Sequence, residues 1–232
     1  MTAKAIIFDL DGTLLDTLED LADAVNYALR QYGLPTHSYA DVRMMVGNGV
    51  RNLVLRATGL YGLTEDELAA APITMERFDE IFATFKAYYV QHCQVKTRLY
   101  DGMPELLAEL QRRGCRLAIV SNKLQAGVTE LQKVYFAGLI DVAIGEREGI
   151  PRKPAPGMVD AALRELCREG ETVEQLRAEA VYVGDSDVDV VTARNAGMPC
   201  ISVLWGFRDE TFLRQHGATL LAREPKDILC LL

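Results

Sequence analysis

The sequence lacks an excess of positive charge. It has 25 Lys and Arg residues against 33 Asp and Glu residues, which gives a formal net charge of −8. Because proteins that bind the phosphate backbone depend on clustered Lys and Arg, this balance argues against a nucleic-acid partner. An acidic protein that acts on an anionic substrate must concentrate its positive charge in one pocket. A metal ion together with one well-placed Lys or Arg would supply that charge.

The sequence also has few residues of the types that build disulfide frameworks and zinc sites. Its five cysteines are odd in number and include no CxxC pair, which favours reduced thiols in a cytosolic protein. Its three histidines are scattered, without the spacing of zinc ligands. No apolar run is long enough to span a bilayer, and Asp9 interrupts the short apolar run near the N-terminus, unlike in a signal peptide. We therefore expect a cytoplasmic protein with no membrane partner.

Short apolar runs alternate with helical patterns over much of the chain. Each run ends in a polar turn, as buried strands of a parallel sheet do, and right-handed βαβ connections would place helices on both faces. The apolar runs lie at residues 4–8, 116–120, 141–144, 180–183 and 200–203. The helical patterns lie at residues 104–113, 124–134, 156–168 and 188–196. The predicted fold class is α/β, with a three-layer, Rossmann-like parallel sheet.

The segment at residues 16–96 departs from this alternation. It contains several helical patterns and no convincing strand. A capping-box signature begins at Thr64, and an apolar stripe at residues 78–89 is typical of a helical-bundle core. We predict an α/β core made of residues 1–15 and 97–232, interrupted by an all-helical inserted domain.

A pair of aspartates, Asp9 and Asp11, directly follows the first predicted strand. Side chains alternate along an extended segment, so the two carboxylates stand on the same side. Open parallel sheets bind ligands at the carboxyl ends of their strands, and two carboxylates there repel each other unless a cation or a shared proton intervenes. A divalent metal bound to one would leave the other able to stay protonated and serve as an acid. The other interpretation is a polar turn with a capping aspartate.

Three further polar sites lie at or just beyond predicted strand ends. Ser121 and Asn122 end one strand, where a hydroxyl and backbone N–H groups could hold phosphate oxygens. Lys153 lies in a proline-restricted loop and could act as a point charge on a phosphoryl group. Asp185 follows the run at 180–183 and could complete a hard-oxygen Mg²⁺ site. A Ser-Asn turn is common and a loop lysine is usually solvated, but the order of all these sites along the chain indicates phosphate chemistry.

Asp187 and Asp189 continue the acidic segment that begins at Asp185. Both could be acids in the first turn of a helix, where the helix dipole stabilises negative charge. We take that interpretation for Asp187. For Asp189 we predict a supporting role, next to the metal ligands but not one of them.

Taken together, these motifs resemble those of the haloacid dehalogenase superfamily of phosphatases. The matching residues are Asp9-Leu10-Asp11-Gly12-Thr13, Ser121-Asn122, Lys153-Pro154 and Gly184-Asp185-Ser186-Asp187-Val188-Asp189. The resemblance covers nearly the whole chain, and the helical insert is similar to the superfamily's small C1-type cap. Within the superfamily the chain most resembles the phosphoglycolate phosphatase branch, through residues 46–50, 193–199 and 205–207.

The resemblance implies a two-step reaction. Asp9 would attack phosphorus and become an aspartyl phosphate, and Asp11 would protonate the leaving group and then activate water. Mg²⁺ would be held by Asp9, Asp185 and the backbone carbonyl of Asp11, and it would stabilise charge in the transition state.

The resemblance also implies how substrate is held. Ser121, Lys153 and the backbone N–H groups near Gly12 and Asn122 would bind the phosphoryl oxygens. The cap would close to exclude bulk water, and its loop Gly47-Asn48-Gly49 is the candidate to reach the leaving group. On turn chemistry alone that loop could equally be a helix–helix turn.

The expected partner is a small anionic phosphomonoester, with 2-phosphoglycolate as the leading candidate. A sugar-phosphate phosphatase, a pyrophosphatase, a nucleotide hydrolase or a phosphomutase could use the same core, whereas a dehalogenase would not need the acid Asp11. A phosphate-sensing or receiver-like signalling module also combines acidic residues, a hydroxyl and Lys on a parallel sheet. In such a module the phosphorylated aspartate lies on a later strand than the acidic pair, whereas here the acidic pair comes first, which favours the enzyme.

Overall fold

The computed structural model describes residues 3–232. The chain divides into two compact units, Met1–Asp16 with Leu99–Leu232 and Thr17–Arg98. The first unit contains a parallel sheet with helices on both faces, and the second contains five helices. This confirms the predicted fold class, an α/β core into which a helical domain is inserted.

The helical unit is built from amphipathic segments that share one apolar core. Its helices are α1 (Leu18–Gln31), α2 (Tyr39–Met45), α3 (Val50–Ala57), α4 (Glu65–Ala70) and α5 (Met75–His92). The side chains of Ser38 and Thr64 accept a hydrogen bond from the backbone N–H three residues on, which begins α2 and α4. Phe78, Ile81 and Phe85 of α5 are fully buried in the core of this unit, as the apolar stripe predicts.

Within residues 3–232, the core unit contains a large sheet of six parallel strands. The strands of the chain are β1 (Ala5–Phe8), β2 (Leu15–Asp16), β3 (Arg98–Leu99), β4 (Arg116–Leu124), β5 (Val142–Glu146), β6 (Ala180–Gly184), β7 (Cys200–Val203) and β8 (Leu220–Ala222). The large sheet has the order β5-β4-β1-β6-β7-β8. Because β1 pairs with β4 on one side and β6 on the other, Ile7 lies opposite both Ala118 and Tyr182. The segments that follow these three strands therefore leave the sheet side by side.

Helices of the core unit cover both faces of the sheet. They are α6 (Met103–Arg112), α7 (Gln125–Tyr135), α8 (Gly157–Leu166), α9 (Val173–Ala178), α10 (Asp187–Asn195), α11 (Glu210–Gln215) and α12 (Ile228–Leu231), the last preceded by a 3₁₀ turn at Pro225–Asp227. Across residues 3–232, no helix combines the length and the apolar character needed to cross a bilayer.

The side chains of β1 alternate between two apolar clusters. Ile6 and Phe8 pack on one face with leucines of α6 and α7, such as Leu107. Ala5 and Ile7 pack on the other face with residues of α8, α9 and α10. Full burial of a Leu, Ile or Phe side chain stabilises the fold by about 1.5–3 kcal/mol. The alternation explains why β1 reads as an unbroken apolar run, since both of its faces are buried.

The strand β4 extends beyond its apolar run. We predict a strand that ends at Val120, but β4 continues to Leu124 and its pairing shifts register between these two residues. Leu124 pairs with Glu146 after the shift. Ser121 and Asn122 lie in this irregular end of β4. The two polar residues are therefore part of the strand, at its carboxyl end, and not in a turn that follows it.

Candidate active site

Three buried aspartates meet at the carboxyl edge of the sheet. Asp9 directly follows β1, Asp185 directly follows β6, and Asp189 lies in the first turn of α10. One carboxylate oxygen from each residue lies within 4.8 Å of the corresponding oxygens of the other two. Since β1 and β6 are neighbours, the pairing of these strands brings together Asp9 and Asp185, which are 176 positions apart in the chain (185 − 9).

Burial makes this cluster electrostatically unfavourable as it stands. Burial raises the pKa of Asp9 well above its ordinary value, a shift that Lys153 opposes and that Asp189 and Asp185 reinforce. Burial and the nearby Asp189 carboxylate raise the pKa of Asp185 to about 7. A cation bound between the carboxylates would relieve this repulsion.

The oxygen donors of Asp9 and Asp185 fit a divalent metal ion. Carboxylate and carbonyl oxygens are the ligands that hard cations such as Mg²⁺ prefer. Both carboxylates are almost fully buried, and buried carboxylates are found in proteins only where they are paired or bind a metal. The carboxylates of Asp9 and Asp185, two of the predicted metal ligands, thus lie close enough together to share one ion.

Asp189 holds its neighbours in place with both of its oxygens. Its Oδ1 accepts hydrogen bonds from Lys153 Nζ at 2.8 Å and from the Tyr182 hydroxyl at 3.1 Å. Its Oδ2 accepts from the Ser186 N–H at 3.1 Å and from the Ser186 hydroxyl at 2.6 Å. These bonds orient Lys153 and begin helix α10, a supporting position of the kind that we predict for this residue.

Lys153 is the buried cation of the cluster. Its Nζ lies 2.8 Å from Asp9 Oδ1, 2.8 Å from Asp189 Oδ1 and 3.0 Å from the Tyr182 hydroxyl. Burial lowers the pKa of Lys153, but the Asp189 and Asp9 carboxylates outweigh it and hold that pKa well above its ordinary value. Lys153 therefore stays charged beside Asp9 at physiological pH.

Ser121 and Asn122 organise the end of β4 beside this lysine. Asn122 Nδ2 donates to the Lys153 carbonyl at 3.0 Å, and the Lys153 N–H donates to Asn122 Oδ1 at 2.9 Å. The Ser121 hydroxyl is buried and accepts from the Lys123 N–H at 3.2 Å. Asn122 is thus tied to the backbone of Lys153, and Ser121 directly precedes Asn122 on β4.

Gly12 allows the backbone after the acidic pair to approach Asp185 closely. Its φ is +88°, in the left-handed region, and a Cβ atom there would lie 2.5 Å from Asp185 Oδ2. The Thr13 hydroxyl donates to Asp185 Oδ1 at 3.3 Å, and the Phe207 N–H donates to Asp185 Oδ2 at 2.7 Å. A side chain at position 12 would displace the carboxylate.

Sequence reasoning missed two polar residues of the site, Lys123 and Tyr182. Lys123 directly follows the Ser-Asn pair, and its Nζ lies 3.1 Å from Asp11 Oδ1. Tyr182 lies within the apolar run of β6, and only its hydroxyl reaches the lysine and Asp189. The position of Lys123 next to two predicted phosphate ligands was the one available signal for it, and Tyr182 gave none.

The loop Gly47-Asn48-Gly49 connects α2 to α3 within the helical unit. All three residues have positive φ, at 130°, 60° and 88°. The Arg56 Nη1 donates to the carbonyls of Met45 and Gly47, each at 2.8 Å, which fixes the shape of the loop. The arginine is committed to this backbone, so the loop keeps a defined conformation.

The fold and the site together define a class of protein. It is a parallel α/β enzyme with an aspartate–lysine centre at the carboxyl edge of its sheet and a helical domain inserted after the first strand. The chain belongs to the haloacid dehalogenase-like hydrolase family, whose sequence model matches residues 6–203. This confirms the predicted family and the prediction that the protein is a hydrolase.

Similar proteins cover nearly the whole chain. A phosphoglycolate phosphatase from Rhodospirillum rubrum is 36% identical over 208 residues, which are 89% of this chain and 82% of that protein. An N-acetylmuramic acid 6-phosphate phosphatase from Pseudomonas aeruginosa is 30% identical over 232 residues, 99% of this chain and 94% of that protein. A crystal structure from Lactobacillus delbrueckii subsp. bulgaricus, provisionally named a phosphoglycolate phosphatase, is 39% identical with a TM-score of 0.87, covering 98% of this chain and 97% of that one.

Proposed function

We propose that this protein is a Mg²⁺-dependent phosphatase that hydrolyses a small phosphomonoester, 2-phosphoglycolate. The observation that carries the proposal is the buried Asp9 carboxylate, which lies against Lys153 and shares a possible metal site with Asp185. Relatives that are themselves named phosphoglycolate phosphatase support the choice of substrate. Asp9 follows the first strand of the chain, which disfavours a receiver-like module.

Asp9 is the proposed nucleophile. Its Oδ1 accepts hydrogen bonds from the Leu10 N–H at 2.7 Å and lies 2.8 Å from Lys153 Nζ. These two donors fix the carboxylate plane, and Lys153 opposes the effect of burial, which favours the neutral carboxyl group by raising the pKa of Asp9. The reaction forms a bond between an Asp9 oxygen and phosphorus while the bond from phosphorus to the leaving-group oxygen breaks, so Asp9 becomes an aspartyl phosphate.

Mg²⁺ bound by Asp9, Asp185 and the Asp11 carbonyl would shield the carboxylate from the phosphate and stabilise the charge of the transferring group. Ser121, Lys153 and the backbone N–H groups near Gly12 and Asn122 are the proposed donors to the other phosphoryl oxygens. Such donors stabilise a transition state most when they are fixed in advance, and the hydrogen bonds between Asn122 and Lys153 provide that order.

Asp11 is the proposed general acid and base. In the first step it gives a proton to the departing alkoxide, and in the second it takes a proton from the water that hydrolyses the aspartyl phosphate. Its side chain keeps about a fifth of its surface exposed, so a leaving group and water can reach it. The loop Gly47-Asn48-Gly49 is the proposed cap segment that contacts the leaving group.

The decisive test is the variant Asp9→Asn. It keeps the shape of the side chain but removes the nucleophilic charge, so we expect phosphate release to fall by at least about 10⁴-fold. The matched control is Asp160→Asn, on an aspartate paired with Arg177 outside the site, which should retain wild-type rates. Wild-type rates in Asp9→Asn, with both variants folded by circular dichroism, would disprove the nucleophile.

The substrate is tested with a panel of phosphomonoesters. Initial rates are compared for 2-phosphoglycolate, N-acetylmuramic acid 6-phosphate, other sugar phosphates, nucleotides and pyrophosphate. We expect 2-phosphoglycolate to give the highest kcat/KM. Equal rates across the panel would rule out a dedicated phosphoglycolate phosphatase, and transfer of phosphate to a second hydroxyl would identify a phosphomutase instead.

A further inference from the structure

Lys123 is a buried lysine that the proposed phosphate chemistry does not use. It is 8% exposed, and its Nζ lies 3.1 Å and 3.5 Å from the two oxygens of Asp11. The aliphatic part of its side chain packs against Gly127, where an added Cβ would lie 3.5 Å from Lys123 Cε. Burying an ammonium group is costly unless it is paired, and the Asp11 carboxylate pairs with this one.

The backbone on either side of Lys123 is fixed. Asn122 precedes it and is tied to the backbone of Lys153 by two hydrogen bonds. Gln125 follows it, and the Gln125 side chain donates to the Ala143 carbonyl at 3.0 Å and accepts from the Gly145 N–H at 2.7 Å. With this backbone fixed, burial of the side chain and the contact with Asp11 place the ammonium group of Lys123 before any substrate binds, which lowers the entropic cost of a contact with substrate.

The two lysines of the site contact different carboxylates. Lys153 contacts Asp9 and Asp189, at the position where the phosphoryl group reacts. Lys123 contacts Asp11, at the position where the leaving-group oxygen receives its proton. An ammonium group carries three N–H donors and its charge acts over several ångströms, so one lysine can serve Asp11 and a neighbouring anionic group together.

The proposed leaving group, glycolate, carries its own negative charge. One methylene group separates its carboxylate from the ester oxygen that Asp11 must protonate, so this carboxylate necessarily lies close to Asp11. Asp9, Asp11 and Asp185 would all repel it, and a like charge among them is unfavourable without a cation. Lys123 places a fixed cation at Asp11, where the repulsion from the substrate carboxylate arises.

We propose that Lys123 is a specificity-determining residue that binds the carboxylate of the leaving group. This carboxylate is attached to the carbon that bears the ester oxygen. The inference rests on the proposed function, because it assigns Asp11 to the leaving group. It differs from a role in holding Asp11 alone, which would affect every phosphomonoester equally. The two roles are separated by substrates with and without the carboxylate.

The experiment compares 2-phosphoglycolate with ethyl phosphate, which has the same chain length and no carboxylate. In Lys123→Met, which replaces lysine with an uncharged side chain one heavy atom shorter, we expect the ratio of the two kcat/KM values to fall by about tenfold or more, the size expected for a lost charged hydrogen bond. Most of the change should be in KM for 2-phosphoglycolate. Lys123→Arg, which keeps the charge, should restore part of the ratio.

The control variant is Lys133→Met, on an exposed lysine of α7 that pairs with Glu130. It should leave both substrates at wild-type rates. Thermal unfolding of each variant verifies that the protein is folded. Equal fold losses for both substrates in Lys123→Met would overturn the proposal and leave Lys123 as a residue that positions Asp11.

A second measurement separates failure of this proposal from failure of the proposed function. The hydrolysis of p-nitrophenyl phosphate is assayed in the presence of 2-phosphoglycolate and, separately, of ethyl phosphate. The inhibition constant of each compound measures how tightly it binds. If the wild type does not turn over 2-phosphoglycolate but binds it more tightly than ethyl phosphate, and Lys123→Met loses that preference, the substrate assignment fails and the carboxylate contact stands. If the wild type shows no preference in either assay, the carboxylate contact is disproved.

Discussion

The side-chain amide of Asn122 and the backbone of Lys153 are joined by two hydrogen bonds that run in opposite directions. Their lengths are 3.0 Å and 2.9 Å, and the residues are 31 positions apart in the chain. Asn122 lies at the irregular end of β4, and Lys153 lies in the loop that leads to α8. The pair fastens the loop that carries the buried cation to the edge of the sheet.

Replacing Asn122 with Ala should release Lys153 from this position. A catalytic group displaced by about 1 Å can cost about 10²-fold in rate, so we expect kcat/KM to fall by about that amount. The loss of two part-buried partners should lower the free energy of unfolding by about 1–3 kcal/mol. Steady-state kinetics and urea unfolding measure the two effects.

The control for this variant is Asn195→Ala. Asn195 is exposed and donates one hydrogen bond, at 2.9 Å, to the Pro154 carbonyl in the same loop. Its loss should change kcat/KM by less than about threefold, because one exposed hydrogen bond contributes little. Equal losses in the two variants would show that Asn122 has no special role in placing Lys153.

The crowding at Gly12 predicts that Gly12→Ala disrupts Asp185. A Cβ there would lie 2.5 Å from Asp185 Oδ2, so the carboxylate must move. We expect phosphate release to be nearly lost and the Mg²⁺ concentration for half activation to rise steeply. Titration of activity with Mg²⁺ is the measurement.

Gly170 is a matched control for Gly12. It has a similar backbone angle, φ +80°, but nothing lies within 4 Å of the position of its Cβ. In Gly170→Ala the left-handed conformation costs about 1–2 kcal/mol of stability, and activity should remain. If Gly170→Ala lost activity as Gly12→Ala does, backbone strain and not contact with Asp185 would be the cause.

Asp185 and Asp187 are two residues apart but should respond differently to substitution by Ala. Asp185 is buried in the aspartate cluster, whereas Asp187 lies in the first turn of α10 and is half-buried. Asp185→Ala should abolish Mg²⁺-dependent phosphate release and weaken Mg²⁺ binding measured by calorimetry. Asp187→Ala should keep activity within about twofold and lose only about 0.3–1 kcal/mol of stability from the helix dipole. Comparable metal affinity in both variants would contradict the proposed ligand set.

The ion pair between Arg116 and Glu171 predicts how stability depends on pH. Hydrogen bonds from the Arg116 guanidinium lower the pKa of Glu171 from its ordinary value of 4.5 to about 2. A carboxyl group with a lowered pKa stabilises the fold above its ordinary pKa, and that stabilisation is lost as the pH falls toward the pKa of the folded state. Glu171→Gln should therefore be less stable than the wild type at neutral pH, and the difference should shrink between pH 4.5 and 2.

Urea unfolding at several pH values across that interval measures the difference. The comparison variant is Glu130→Gln, which removes an exposed pair with Lys133 on α7. Exposed pairs contribute about 0–1 kcal/mol, so its stability should follow the wild type at every pH. A constant difference between Glu171→Gln and the wild type down to the lowest pH would contradict the role of the ion pair.

Asn48 offers a test of the cap loop. Its φ is 60°, a conformation that Gly adopts freely and Ala does not. If the Asn48 side chain contacts the leaving group, Asn48→Gly and Asn48→Ala should both raise KM for 2-phosphoglycolate. If the loop matters only through its backbone, Asn48→Gly should keep the wild-type KM and only Asn48→Ala should change it. We expect the first result.

Sequence periodicity predicted the parts of the fold that depend on local pattern. The run before Asp9 is apolar at every position because both faces of β1 are buried, and such a run is a strong signal. The short edge strand β8 gave no comparable signal, since two of its three residues are only partly buried. The end of β4 was also misjudged, because Ser121 and Asn122 continue a strand whose pairing no longer follows an apolar pattern.

Some residues of the candidate site could be predicted from the sequence and others could not. Asp9 and Asp185 could be predicted because each directly follows a recognisable strand. The contact between Lys123 and Asp11 could not, because these residues are 112 positions apart and meet only through the pairing of β1 with β4. The role of the Tyr182 hydroxyl could not be predicted either, because the apolar pattern of β6 reflects the buried ring of Tyr182 and not its hydroxyl group.

The strand order has a consequence for biosynthesis. β1 lies in the middle of the sheet, between β4 and β6, yet it is synthesised before the other five strands of that sheet. A nascent chain therefore carries Asp9 exposed while Lys153, Asp185 and the Phe207 amide are still to be made. Because domains fold as units during synthesis, the chain must be translated at least as far as Phe207 before Asp9 meets Lys153 and Asp185 in this arrangement. Until then Asp9 lacks the groups that surround it in the folded protein, and the unpaired β1 is open to pairing with other strands.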